Sequence, residues 1–357
     1  MEAFSNLNES YTRSELIVLN NFKQYCANKN LEYRFDLYTN DFLIKFLRAK
    51  NYKMEESYQM FVNYLKFANE FNITHINEVK FPNIDKIKIF YPHGFHKTTK
   101  TGNPILLQNL GEIKIDDINK LLPDKLLNQY IIFLLERMRN TIFPKCSIAS
   151  NKPIDRVFCI IDLLGLTTSL MTKKIYNFLN TQLSICQNYY PGILDGLYFV
   201  NSGFLFRALW STCKYFYYEE TRQKIKLLAF DYKPKLLEKI SPSNLPKFIG
   251  GECNCDPYGC IFSDAGPWNE DNEIKNDNYS SYKKKDNLSF MDMINKKETN
   301  EMYEQLTLKS KNKELKIIKK NQDVKDDELG ENGLNNNNNE NNNININNEQ
   351  INHMNEI

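Results

Sequence analysis

The 357-residue chain contains no stretch approaching eighteen consecutive apolar residues, which excludes a membrane-crossing helix. Met1 to Asn8 hold no basic region followed by an apolar core, so no secretory leader is expected. Net charge is nearly absent. Lys plus Arg number 46 against 44 Asp plus Glu, leaving +2, and such a balance gives no global field for a nucleic acid partner. Histidine is scarce: four residues, His75, His93, His96 and His353, none with a metal-type partner at i+4. His93 and His96 surround Gly94 and read as part of a loop, as satisfied or exposed side chains. A phosphate loop ending in Lys-Ser/Thr, a GxGxxG turn and a GxSxG elbow are all missing, which removes the support for nucleotide enzymes and serine hydrolases. With no nucleophile, base or metal constellation visible, the chain is not expected to be an enzyme.

The eight cysteines are scattered and read as buried thiols of a reducing compartment, which points to the cytosol. Cys159 lies in an apolar run, where a thiol behaves as a small hydrophobe, and Cys186 has no better claim to nucleophilic work. Cys253, Cys255 and Cys260, in CNCDPYGC, raise a zinc hypothesis. It fails on count: three thiols, one residue between the first two, and no fourth ligand near in sequence, so no metal is expected.

What the chain does have is rings. Phe 23, Tyr 21 and Trp 2 make 13% of a chain that is polar on average. They are missing from residues 335–357, where 13 Asn leave too little apolar surface to offset chain entropy, so that stretch is expected to be disordered. Ser280 to Gly330 carries 12 Lys and 10 acidic residues without Arg and supports at most a fraying helix. Its basic run, Lys309 to Lys320, reads as a solvated face, with weak contact to an anionic membrane as the sharper alternative.

The rest divides by period. Ser14 to Phe22 is a plausible helix; a second starts at a cap, Asn40 or Asp41, and ends near Lys50-Asn51; in a third, Tyr58, Phe61, Val62 and Leu65 form an apolar stripe. Short apolar runs follow at Pro104 to Gln108, Val157 to Ile161, Leu197 to Val200 and Ile225 to Phe230. They alternate with helical patterns at Lys125 to Thr141, Ser169 to Gln187 and Phe204 to Tyr215. Such alternation predicts an α/β fold, a helical bundle followed by a parallel or mixed sheet with helices packed on it. The expected domains are 1–85, helical; 86–268, α/β; and 269–357, a largely disordered tail. The stretch Phe204 to Tyr218 holds rings and leucines on more than one face, with Arg207 and Lys214 as the exceptions. A soluble helix on its own sheet needs one apolar stripe, so a two-faced helix has a second apolar neighbour, a ligand or a membrane.

Several motifs are recognisable in order: Asp41 to Tyr52 (DFLIKFLRAKNY), Phe90 to Pro104 (FYPHGFHKTTKTGNP), Gln187 to Pro191 (QNYYP), Asn244 to Gly251 (NLPKFIGG) and Ser263 to Trp268 (SDAGPW). From about residue 14 to 268 the chain resembles the CRAL-TRIO lipid-binding family, its fungal-type phosphatidylinositol/phosphatidylcholine transfer branch. The resemblance implies a sheet that floors an apolar pocket, closed by a mobile gate helix over Phe204 to Tyr218, with Tyr189, Phe204, Phe206, Trp210 and Phe216 lining gate and pocket. It implies Thr221, Lys224 and Arg48 as inositol-lipid headgroup residues and Thr167 and Ser169 as their choline-lipid counterparts. Read in isolation, Ser169 is a helix cap and Lys224 a solvated charge. Gly192 stands where the branch carries a glutamate that helps hold inositol, and Asp195 is the nearest replacement.

The implied ligand is one bound phospholipid, with no cofactor. The implied partners are a membrane surface, touched transiently, and a phosphoinositide kinase; the implied location is cytoplasmic, peripheral to Golgi or other secretory membranes. A sterol, tocopherol-like or retinoid carrier, or a module presenting lipid to a kinase, are the alternative readings.

Overall fold

The computed structural model describes residues 11–33, 38–81, 83–167, 173–255 and 259–269. Ser169 and the whole tail beyond Asn269 lie outside the described residues.

Helix α1, Arg13–Asn28, starts at Thr12, whose hydroxyl accepts from Glu15 N while the Glu15 carboxylate accepts from Thr12 N, a reciprocal capping box. Leu19, Phe22 and Cys26 are its buried face. Helix α2, Asn40–Ala49, follows Thr39, which makes no side-chain cap bond; the N-cap is thus one residue before the expected Asn40 and two before Asp41, which stands in the first turn. It stops where Asn51 and Tyr52 take positive φ, 49° and 60°. Helix α3, Met54–Glu70, buries Met60, Phe61, Tyr64 and Phe67.

Tyr38, Phe42, Phe46, Phe61 and Tyr64 meet edge to face, with centroids as close as 4.9 Å between Phe42 and Tyr64. Each such pair adds about 0.5–1.5 kcal/mol beyond its area. Much of the aromatic content is therefore core of the helical layer, and the gate and pocket account for only part of it.

Helix α4, Ile84–Phe90, leads into strand β1, His93–Thr98, which runs antiparallel to β2, Pro104–Asn109. The expected loop at His93 and His96 is thus a strand, and both histidines are buried. Short helix α5, Ile115–Leu121, and α6, Asp124–Arg137, follow, and a π-turn at Met138–Ile142 joins α6 to α7, Phe143–Ser150. Strand β3, Val157–Asp162, is buried at all six residues, as a central parallel strand must be. Helix α8, Lys173–Tyr189, precedes β4, Leu194–Val200.

Helix α9, Phe204–Cys213, is shorter than the expected gate, because the chain tightens into a 3-10 turn over Lys214–Phe216. Short helix α10, Glu219–Gln223, leads to β5, Ile225–Leu227, and α11 spans Lys233–Lys239. Strand β5 ends three residues before Phe230 because the carbonyls of Leu228 and Ala229 are engaged by Ser202 N and Asn201 N, outside a regular ladder.

The sheet order is β1-β2-β3-β4-β5, parallel from β2 onward. Alternation along the strands splits the core. Leu106, Cys159, Ile161, Leu197 and Phe199 face the helical layers, whereas Leu107, Phe158, Ile160 and Tyr198 face the segment carrying Leu236, Ile240 and Leu245.

Candidate functional site

The front face of the sheet carries the two-faced helix. On its inner side Phe206 and Trp210 pack on Phe199 of β4, at ring separations of 4.9 and 6.1 Å. Trp210 also stacks on Tyr217 at 5.6 Å. On its outer side Phe204 is 83% exposed, Leu205 47% and Leu209 40%. Tyr215 and Tyr218 just beyond the helix are exposed too. The start of α9 is pinned by Arg207 Nε, which donates to Ser202 O at 3.1 Å, while Ser202 Oγ donates to Leu228 O at 2.7 Å.

Around the far end of α9 several expected residues converge. Gln187 of QNYYP accepts from Tyr218 N at 2.9 Å, and Lys50 Nζ sits 5.0 Å from the Tyr218 ring, so α2, α8 and the start of α10 meet. Thr221 is half-buried on α10, and Lys224 Nζ bonds Glu220 Oε1 at 2.6 Å. Arg222 lies over the Tyr215 ring and pairs with Glu219. Sequence reasoning missed Lys50 and Arg222: no pattern in the sequence marks Lys50 as settling over Tyr218 far away in the chain, and Arg222 reaches Tyr215 across the turn between α9 and α10.

Arg48 pairs with the first helix. Its Nε donates to Glu15 Oε1 at 2.9 Å, and Tyr52 Oη donates to the same oxygen at 2.8 Å, clamping α1 to α2. The Arg48 bond, then the Thr12 backbone bond, hold the Glu15 carboxyl at about 2. Thr167 is exposed in the turn after β3, where Asp162 accepts from Leu164 N and from Asn201 Nδ2 at 2.8 and 2.7 Å. Tyr189 stacks on Phe67 of α3 at 3.8 Å, joining α8 to the helical layer. The Phe216 side chain lies outside the described residues. Gly192 has φ +70°, so a side chain there is strained whatever the space around it.

A cleft of about 320 Å³, part of it open to solvent, lies between β1, β2, α4, α6 and α8. Tyr91, Gln108, Tyr130, Phe178 and Gln182 line it, and none of its lining residues is on α9. His93, also on its wall, is satisfied: Nδ1 is 2.6 Å from Tyr91 O and Nε2 2.8 Å from Tyr130 Oη, and burial pushes it down to about 3. Burial likewise pushes the Cys186 thiol up to about 12. At the back of the sheet the count of three thiols without a fourth ligand is corrected: β1 brings His96 to Cys253, Cys255 and Cys260, all four ligand atoms within 4.8 Å of one another.

Fold and site define a mixed-sheet domain under a helix that is apolar inside and out. The CRAL/TRIO domain profile matches residues 90–251, and that of the CRAL/TRIO N-terminal domain residues 18–63. The chain belongs to the CRAL/TRIO family. It is 37% identical over 233 residues to phosphatidylinositol/phosphatidylcholine transfer protein SFH11 of Arabidopsis thaliana, covering 64% of this chain and 61% of that protein. It is 37% identical to SFH7 of the same plant, with 65% and 43% covered. Sec14 cytosolic factor of Schizosaccharomyces pombe is 32% identical, with 64% of this chain and 80% of that protein covered. The chain thus spans less than two thirds of the length of the two Arabidopsis proteins.

Proposed function

We propose that this chain binds one phospholipid, phosphatidylinositol, phosphatidylcholine or both, and carries it between membranes, with α9 as the gate. The observation that carries this reading is the pair of apolar faces on α9: Phe206 and Trp210 turned to the sheet, Phe204, Leu205 and Leu209 turned to water. Lifting two acyl chains out of a bilayer costs on the order of 20 kcal/mol unless an apolar lining replaces the lipid. A helix that leaves Phe199 supplies such a lining from the sheet and presents its outer face to the membrane at the same step. The cleft encloses only about 20 Å³, room for about one water, and α9 does not line it, so space for a diacyl lipid has to open elsewhere, between α9 and the sheet.

In this reading Lys224 exchanges Glu220 for the lipid phosphate, and Thr221 donates its hydroxyl to it. Gly192 offers no carboxylate to inositol, so the phosphate carries the headgroup contact. Arg48, the third headgroup residue of this reading, leaves Glu15 to reach the lipid. Thr167 and Ser169 serve the choline headgroup. The exposed rings Phe204, Tyr215 and Tyr218, with Lys214 and Arg222 beside them, form the surface that touches the membrane transiently.

Mass spectrometry of lipid co-purifying with the chain, together with vesicle-to-vesicle transfer of labelled phosphatidylinositol and phosphatidylcholine, tests the proposal. One phospholipid per chain and transfer of at least one of the two is expected. A co-purifying sterol, or no transfer above the vesicle background, overturns it.

A further inference from the structure

We propose that His96, Cys253, Cys255 and Cys260 form a structural zinc site on the back of the sheet, away from the lipid-handling face. The four ligand atoms come from two places that the fold brings together: strand β1 and the segment following NLPKFIGG. All lie within 4.8 Å of one another, and Cys253 Sγ is 3.8 Å from Cys255 Sγ. Tetrahedral zinc with bonds of about 2.3 Å to thiolate sets its sulfur atoms about 3.8 Å apart, so one edge of the tetrahedron is already at length. Closing the others takes movement of about an ångström or less.

The imidazole is prepared for ligation by its neighbours. Ser263 Oγ donates its proton to Cys260 O at 3.0 Å, so toward His96 Nδ1, 3.2 Å away, it can only accept. Nδ1 therefore carries the ring proton, and the lone pair stays on Nε2. That nitrogen is buried with no hydrogen-bond partner, and His96 itself is fully buried. An uncompensated buried nitrogen is costly unless something takes its lone pair. A histidine ligand whose other nitrogen donates to a fixed acceptor is the usual arrangement at zinc.

Backbone geometry holds the thiols where they are. Gly94, two residues before His96, has no side chain, and a Cβ there meets Ile261 O at 2.2 Å; only glycine lets the segment that carries Cys260 lie on the strand. Cys253 N donates to Leu245 O at 3.0 Å, and Gly259, at φ +80°, turns the chain back so that its N–H bonds Cys255 O. Three thiolates and one imidazole select zinc over hard cations, and a closed four-ligand set leaves no open position for catalysis. Zinc displaces the thiol protons to solvent, including the one Cys260 Sγ–H now shares with Cys253 O. The metal would tie the C-terminal segment of the domain to its first strand.

The test is metal analysis of the full chain purified under reducing conditions without chelator, followed by Co²⁺ titration of the metal-free protein. One zinc per chain is expected, with tetrahedral d–d bands and thiolate-to-cobalt charge transfer on titration. Cys255→Ser should weaken zinc binding at least about tenfold and Ser263→Ala by about tenfold, while His75→Gln, an exposed histidine elsewhere, leaves it unchanged. Metal-free protein that takes up neither Zn²⁺ nor Co²⁺ stoichiometrically overturns the proposal. So does a disulfide among the three cysteines in the purified reduced chain, or stoichiometric zinc that survives both Cys255→Ser and His96→Gln.

Discussion

Replacing Phe204, Leu205 and Leu209 together by serine strips the outer face of α9 and leaves Phe206 and Trp210 on Phe199. Full burial of a Phe or Leu side chain contributes about 2–3 kcal/mol. Scaled by exposures of 83%, 47% and 40%, complete transfer of the three side chains from water to the acyl region is worth about 4 kcal/mol. A helix lying in the interfacial plane realises roughly half of that, about 2 kcal/mol, or about 30-fold in a partition constant. Co-sedimentation with phosphatidylcholine/phosphatidylinositol vesicles should register that loss, and lipid transfer between vesicles should fall in parallel.

Leu205 and Leu209 keep about half of their surface covered, so on the same scale the triple variant should also lose about 3 kcal/mol of folding stability, which urea unfolding measures, and partition is compared under conditions where both proteins are folded. Ile17 on α1 is also exposed, so Ile17→Ser separates a general loss of surface apolarity from the specific role of α9. Partition and transfer within about twofold of wild type in the triple variant would refute the gate reasoning. An equal loss in Ile17→Ser would refute the localisation to α9.

Lys224→Ala should reduce phosphatidylinositol transfer by roughly tenfold, the value of one charged hydrogen bond, and leave phosphatidylcholine transfer unchanged; its pair with largely exposed Glu220 contributes little to the fold. Equal loss for both lipids would mean a packing defect instead. Glu15 is held at about 2, below the ordinary carboxylate value of 4.5, by Arg48 first and Thr12 second, so its contribution is complete above the unfolded value and is lost as pH falls toward 2. Thr12 and Tyr52 keep their share of the shift in the variant and solvent screens the partly exposed Arg48, so wild type should lose about 1 kcal/mol more stability than Arg48→Met between about pH 6 and about pH 3, measured by urea unfolding; parallel curves would refute the clamp. Tyr190→Phe removes the hydroxyl that donates to buried Glu136 at 2.8 Å, and should cost about 1.5–3 kcal/mol in urea unfolding, since Arg139 and Asn140 still hold that carboxylate. A change below about 0.5 kcal/mol would show that the network compensates.

What could be read in advance follows from the range over which each feature is encoded. Helix α3 was legible from the helical spacing of its apolar residues, although its buried face, Met60, Phe61, Tyr64 and Phe67, shares only Phe61 with the expected stripe of Tyr58, Phe61, Val62 and Leu65, whose other members flank it half-buried; β2, β3 and β4 were legible because a strand buried on both faces is a continuous apolar run. Strand β1 was not, since HGFHKT is polar by composition. Its burial depends on partners that compensate the polar atoms from far away: Tyr130 for His93 and Ser263 for His96. The same distance explains the thiol cluster, where spacing within CNCDPYGC cannot disclose a ligand that arrives from β1.

Ring density misled in the opposite sense. Counting aromatics between Phe199 and Tyr218 marked the gate, yet the larger edge-to-face cluster gathers Tyr38, Phe42 and Phe46 with Phe61 and Tyr64 across separate helices. A window along the chain measures adjacency, whereas a core is assembled by contact. A two-faced helix is therefore a stronger signal than a ring-rich one: facing is set by the helical repeat itself, and Phe204 and Phe206, two residues apart, stand on opposite sides of α9.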